Sequence, residues 1–245
     1  MDNALMIAMQ NQMVLQRRLE AVANNLANVS TSGFKADNFS FAMDADPDAS
    51  SVAKPSDIRF VRETGIVRDM SQGAIRMTGA PFDLAIEGAG FFAVQREDGS
   101  TAYTRDGAFT LSADGALSTE DGRPVLSDSG APIVLDLRGE QASIDKDGAI
   151  SVAGVEAGRV GVYTFEKPEE LSKLGDNLYG ALQQAATPAA EARVVQGALE
   201  GSNVRAVIEL TRMIEISRAY ESAARMITND DSLRKSAIET LGKAA

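Results

Sequence analysis

Apolar residues near the start of the chain fall at Leu5, Ala8, Leu15, Leu19, Val22, Leu26 and Val29, in alternating steps of three and four, with Gln12 as the polar exception. That is a heptad seam, and it predicts a helix over Asn3–Asn28, about 39 Å long at 1.5 Å per residue. Met6, Met9 and Met13 form a second stripe beside it. Ser30, Thr31, Ser32 and Gly33 then stop the helix. The far end of the chain has the same period. Leu210, Met213, Ser217, Tyr220, Ala224, Ile227, Asp231, Arg234, Ile238 and Leu241 share one seam, widened early by Ile208, Ile214 and Ile216. With Ser202 or Asn203 as its N-cap, this predicts a second helix over Asn203–Leu241, about 60 Å long.

Between the ends the punctuation changes. All seven prolines lie between Pro47 and Pro188, and no glycine precedes Gly33 or falls between Gly201 and Gly242. Asp-Gly pairs begin at Asp98, Asp106, Asp114, Asp121 and Asp147, the dipeptide of tight hairpin turns. The runs "DLAI", "GFFAVQ", "PIVLDL", "AISV" and "RVGVYTF" read as strands of an antiparallel sheet or partly closed barrel. The fold class is therefore α+β. Residues 1–35 and 201–245 are expected to form a helical part, 36–77 an extended connecting segment, 78–180 a β-rich domain and 181–200 an Ala/Gln-rich connector.

Composition narrows the chemistry. The chain has 245 residues, a formal charge of −11 and a pI near 4.6. That sign repels phosphate backbones, which argues against nucleic acid as a partner. With no Cys and no His, thiol nucleophiles, His-based acid–base steps and Cys/His zinc sites are excluded. No apolar run approaches the roughly 18 residues of a membrane span. The opening "MDNALMIAMQ" lacks a basic region and a cleavage site, so no cleaved leader is expected. "DADPD", Asp44–Asp48, starts like a calcium loop but has Ala49 and Pro55 where Gly and Glu are required. "GAGFFA", Gly88–Ala93, fits a loose dinucleotide fingerprint, but "FFAVQ" continues as a strand, with Phe91 and Phe92 on opposite faces. Its glycines are read as a turn or bulge. Adjacent acids such as Glu169–Glu170 and Asp230–Asp231 diverge by about 100° on a helix. No catalytic constellation, cofactor or metal site is expected, and the chain is read as a non-enzyme.

Periodicity alone does not distinguish an intramolecular helical hairpin from an intermolecular coil. Three features favour assembly. The first helix has apolar side chains on more than one face, the second outruns it by roughly a dozen residues, and Gln12, Ser217, Asp231 and Arg234 are polar seam positions of the kind that set register. A β-rich binding module dimerised by its helices is the alternative.

The segments "VANNLANVSTSGFK", "TGAPFDLAIEGAGFFAV", "YTRDGAFTLSADGALSTEDGRPVL" and "LEGSNVRAVIELTRMIEISRAYESAARMI" resemble, in order, the signatures of the bacterial flagellar rod and hook proteins. "MDNAL" and the modest length are most similar to the proximal rod branch, with the distal rod proteins as the nearest alternative. The departures are Phe82 and Ala89, where relatives often have Leu and Asp. The resemblance implies terminal helices paired as a coiled-coil-like inner domain around a β-rich outer one. It implies a periplasmic rod subunit that polymerises helically and transmits torque, with itself, other rod proteins and the flagellar export apparatus as partners. On that reading Leu15, Leu19, Val22, Asn24, Asn25, Leu26, Asn28, Leu210, Met213, Tyr220, Ile227, Ile238 and Leu241 are expected at subunit interfaces. The amides of Asn24, Asn25 and Asn28 are expected to satisfy one another across subunits. Gly33, Phe34 and Gly201 are expected to turn the chain between helix and sheet.

Overall fold

The structure is a computed structural model that describes residues 2–43, 61–137, 140–181 and 184–243; the acidic stretch Asp44–Asp48 lies outside the described residues. The chain divides into two compact units. The first holds residues 1–27, 37–67 and 205–245. Its helix α1 spans Asp2–Ala27 and its helix α2 spans Ala206–Lys243, as the heptad spacing predicts. The two helices contact each other, and α1 also contacts the strand Asp37–Met43, which pairs with Val61–Arg68.

The second unit, 28–36 with 68–204, is built from antiparallel strands. A six-stranded sheet runs in the order Ser172–Gly175, Leu178–Gly180, Thr101–Thr104, Phe91–Gln95, Val162–Thr164 and Thr187–Pro188. Pro188, which cannot donate to a ladder, sits on its edge strand. Phe91 and Phe92 take opposite faces. Phe92 packs edge-on against Phe109 in the main core with Leu84, Val94, Leu117 and Ile150. Phe91 joins a smaller aromatic cluster with Phe165, Leu171 and Tyr179.

Four of the five Asp-Gly pairs place a glycine at positive φ in a turn: Gly99, Gly115, Gly122 and Gly148. Gly107 does not. A Cβ there would stand 1.7 Å from the Leu84 carbonyl oxygen, so Gly107 serves the close approach of two chain segments rather than a hairpin.

Two further expectations differ from the structure. Residues 181–200 contain the strands Thr187–Pro188, Arg193–Gln196 and Ala198–Glu200. Arg193–Gln196 pairs with Leu84–Glu87, and Ala198–Glu200 pairs with Ile75–Met77. Asn203 is not an N-cap, since α2 begins at Ala206. Its side chain instead accepts from the Ala36 N–H at 2.8 Å and donates to the Asp69 carbonyl at 2.7 Å, tying two segments of the β-rich unit.

Candidate assembly interface

In the helical unit, Leu15, Ala21 and Val22 are the buried apolar positions of α1, with Leu19 and Leu26 half-buried beside them. Met213, Tyr220 and Ile227 of α2 are half-buried at the predicted spacing. Ile238 and Leu241 fall within α2. Leu210 is exposed, because one helix partner covers only one face of α2.

The asparagines separate into different roles. Asn24 is exposed and Asn28 half-buried. Asn25 is buried and held inside its own chain: its Nδ2 donates to the Asp37 carbonyl at 2.9 Å and to Glu209 at 3.3 Å, and its Oδ1 accepts from the Asp37 N–H at 2.9 Å. An amide used in both directions on the following strand does not wait for a neighbouring subunit, so the cross-subunit expectation for Asn25 does not describe this structure. Glu209 also accepts from Arg212 at 2.6 Å. Asn25 thus joins α1, the strand at Asp37 and α2. Beside it lies a cleft of about 290 Å³ lined by Arg18, Val22, Phe39, Arg212, Glu215 and Ile216, among others.

The β-rich unit has its own polar centre. Glu200 accepts from Lys35 Nζ at 2.6 Å, the Gly73 N–H at 2.8 Å and an Arg105 guanidinium nitrogen at 3.0 Å. Lys35 donates further to the Ser71 carbonyl at 2.7 Å, and Arg105 to the Gly88 carbonyl at 2.6 Å. The side chains are 1% (Lys35), 0% (Glu200) and 5% (Arg105) exposed, so two cations and one anion are sealed from water. Burial pulls both the Lys35 ammonium and the Arg105 guanidinium below their ordinary pKa ranges, and Glu200 opposes both shifts.

Gly33, Phe34 and Gly201 flank this centre. Gly33 has φ +66°, its N–H donates to the Glu200 carbonyl at 2.8 Å, and a Cβ would stand 2.4 Å from the Arg105 backbone. Phe34 is buried with the Lys173 ammonium 4.6 Å from its ring centre. The Gly201 N–H donates to the Ala74 carbonyl at 2.9 Å. Sequence reasoning did not single out Lys35, Arg105 or Glu200, although all three stand within the segments that carry the family resemblance. Among the described residues, no group of three or more acidic, His or Cys side chains could hold a metal ion, and no helix is long and apolar enough to cross a membrane.

A helix pair with uncovered apolar surface is joined in sequence to a β-rich unit clamped by a buried ion cluster. Comparison with known proteins gives the class of the chain. The family model for "Flagella basal body rod protein" matches residues 5–35, that for "Flagellar hook protein FlgE/F/G D1 domain" residues 85–152, and that for "Flagellar basal body rod FlgEFG protein C-terminal" residues 195–240. The chain is 44% identical over 244 residues to the flagellar basal-body rod protein FlgF of Caulobacter vibrioides, covering 99% of both chains. It is 34% identical to FlgF of Mesorhizobium japonicum, again over 99% of both. FlgG of Buchnera aphidicola subsp. Baizongia pistaciae is 32% identical over 94% of this chain and 96% of its own length. The chain belongs to the flagellar basal-body rod protein family. Lys35, Arg105 and Glu200 each fall in a different one of the three matched segments.

Proposed function

We propose that this chain is a structural subunit of the proximal part of the flagellar rod, polymerising helically into the shaft that passes torque from motor to hook. Its helices pair in a coiled-coil-like manner as the assembly domain, and the β-rich unit forms the outer part. Its partners are further copies and neighbouring rod proteins. The chain reaches the periplasm through the flagellar export apparatus, and has no catalytic turnover.

The observation that carries this reading is the match over nearly the whole length of rod proteins, 99% of both chains at 44% identity. The exposed apolar positions on both helices support it, as apolar surface available to a neighbouring subunit. The test is deletion of the corresponding gene in the source bacterium, followed by electron microscopy of isolated basal bodies and swimming assays. The expected result is absence of a complete rod and loss of motility, both restored by this chain. Full-length, torque-bearing rods in the deletion strain would overturn the proposal.

A further inference from the structure

The chain crosses between the helical and the β-rich unit after residues 27, 36, 67 and 204. Inside the β-rich unit, the segments that lead to these crossings are bonded to one another. The Gly33 N–H donates to the Glu200 carbonyl at 2.8 Å, the Asn203 N–H to the Phe34 carbonyl at 3.3 Å and the Asp69 N–H to the Ala36 carbonyl at 2.9 Å. Lys35 Nζ reaches both Glu200, at 2.6 Å, and the Ser71 carbonyl, at 2.7 Å. Asn203 completes the set. Its Oδ1 accepts from the Ala36 N–H at 2.8 Å, and its Nδ2 donates to the Asp69 carbonyl at 2.7 Å and the Ser71 carbonyl at 3.2 Å. Residues 33–36, 69–71 and 200–203 thus form one polar clasp.

The clasp stands apart from the apolar packing. The members of both apolar clusters lie between Met70 and Val194, and among the described residues none comes from 33–36 or 200–203. A pull on α1 enters the β-rich unit at residue 28, and a pull on α2 enters it at residue 204. Between those points the clasp is the short path. Force entering at 28 meets Gly33–Ala36, crosses to Glu200–Asn203 and leaves, without passing through the six-stranded sheet or either apolar cluster. Loaded in parallel, the contacts of the clasp must part together. The Lys35–Glu200 pair, 1% and 0% exposed, has no water to exchange with until they do.

We infer that the clasp is a mechanical shunt: load passed between α1 and α2 runs through Lys35–Glu200 and Asn203, and the sheets are spared it. The inference rests on the rod reading for the source of the load, and adds to it the path that load takes through one subunit.

The absence of cysteine lets pulling handles be placed at chosen positions. The full chain with Gln10→Cys and Met226→Cys, exposed on α1 and α2, is pulled at constant force in optical tweezers. A second form carries its handles at exposed Thr110→Cys and Val155→Cys, which pull on strands of the β-rich unit away from the clasp. From the helix handles, residues 37–199 are expected to extend in one step of roughly 550 Å, at about 3.4 Å per residue. Asn203→Ala removes a half-buried side chain that water can replace, so Tm should fall by about 5 °C at most. Under load it should rupture at least about tenfold faster from the helix handles, and within about twofold of the parent from the strand handles. Asn203→Asp, which keeps the acceptor for Ala36 and loses both donors, should fall between. Equal acceleration in both pulls would reduce Asn203 to an ordinary stabilising residue. No acceleration from the helix handles, or extension of the strands in smaller steps before the clasp parts, would place the load path elsewhere. Each of these results overturns the inference while leaving the rod reading to the basal-body experiment, which scores incorporation rather than load.

Discussion

Replacing Glu200 by Gln tests the buried ion cluster most directly. The substitution keeps the shape of the side chain and one oxygen able to accept, but removes the charge that faces Lys35 at 2.6 Å and Arg105 at 3.0 Å. Two sealed cations then have no anion between them. Breaking a buried ion pair by removing one partner costs about 3–5 kcal/mol, against a total margin of about 5–15 kcal/mol for a folded domain. For a unit of the size of residues 28–36 with 68–204, each kcal/mol moves the midpoint by about 2–4 °C, so Glu200→Gln should lower Tm by roughly 6–20 °C. Lys35→Met provides the internal comparison. It removes the surplus cation and leaves Glu200 and Arg105 as a one-to-one pair, so it should cost less than Glu200→Gln.

Tyrosine fluorescence and near-UV circular dichroism suit the measurement, because Tyr103, Tyr163 and Tyr179 all belong to this unit and the chain has no Trp. The pH dependence carries a sign. Burial holds the Lys35 pKa below 10.5, so the folded chain gives up that proton before the unfolded chain does, and the Lys35 contribution to stability improves as pH rises toward 10.5. Without Glu200 the value falls further, so the deficit of Glu200→Gln should narrow from neutral pH toward 10.5. The reasoning is refuted if Lys35→Met costs as much as Glu200→Gln. It is also refuted if Glu200→Gln stays within about 0.5 kcal/mol of the parent, the range of an ordinary surface change.

Three other perturbations have defined outcomes. Gly33→Ala places a Cβ 2.4 Å from the Arg105 backbone at a φ of +66°, and should leave the β-rich unit without a cooperative unfolding transition in the same near-UV assay. Asn25→Ala leaves the buried Asp37 N–H and carbonyl without the side chain that pairs them, a loss of about 1–3 kcal/mol, read as faster hydrogen exchange at residues 37–39 with the β-rich unit unchanged. The Asp106 carboxyl is pushed above 3.8, first by burial and then by Glu120, Asp83 and Asp121, with the Ala108 N–H opposing. Its ionisation therefore weighs against folding at neutral pH and is relieved as pH falls, so Asp106→Asn should raise Tm at pH 7 and lose that advantage on acidification toward 3.8.

Local features of the fold were legible in the sequence. The heptad spacing fixes both helices to within a few residues, and the alternation of Phe91 and Phe92 shows two faces because a strand's period is two. Turn chemistry is equally local, which is why Gly99, Gly115, Gly122 and Gly148 read correctly. Gly107 did not, because its reason is the carbonyl of Leu84, more than twenty residues away. The strands Arg193–Gln196 and Ala198–Glu200 were hidden by an Ala/Gln-rich stretch whose partners, Leu84–Glu87 and Ile75–Met77, are over a hundred residues upstream.

The ion cluster shows the same limit for charged residues. Lys35, Arg105 and Glu200 look individually like solvated charges, and no spacing rule links positions separated by 70 and 95 residues. A signal was nevertheless present: each is a charge within one of the segments that resemble the rod family. The helical unit shows the converse. Its seams were readable because repetition encodes them, yet the same repetition could not say that Asn25 binds Asp37 and Glu209 of its own chain while Leu210 stays exposed. Periodicity identifies a face as apolar or polar, and only the three-dimensional neighbours decide whether the chain itself or another molecule covers it.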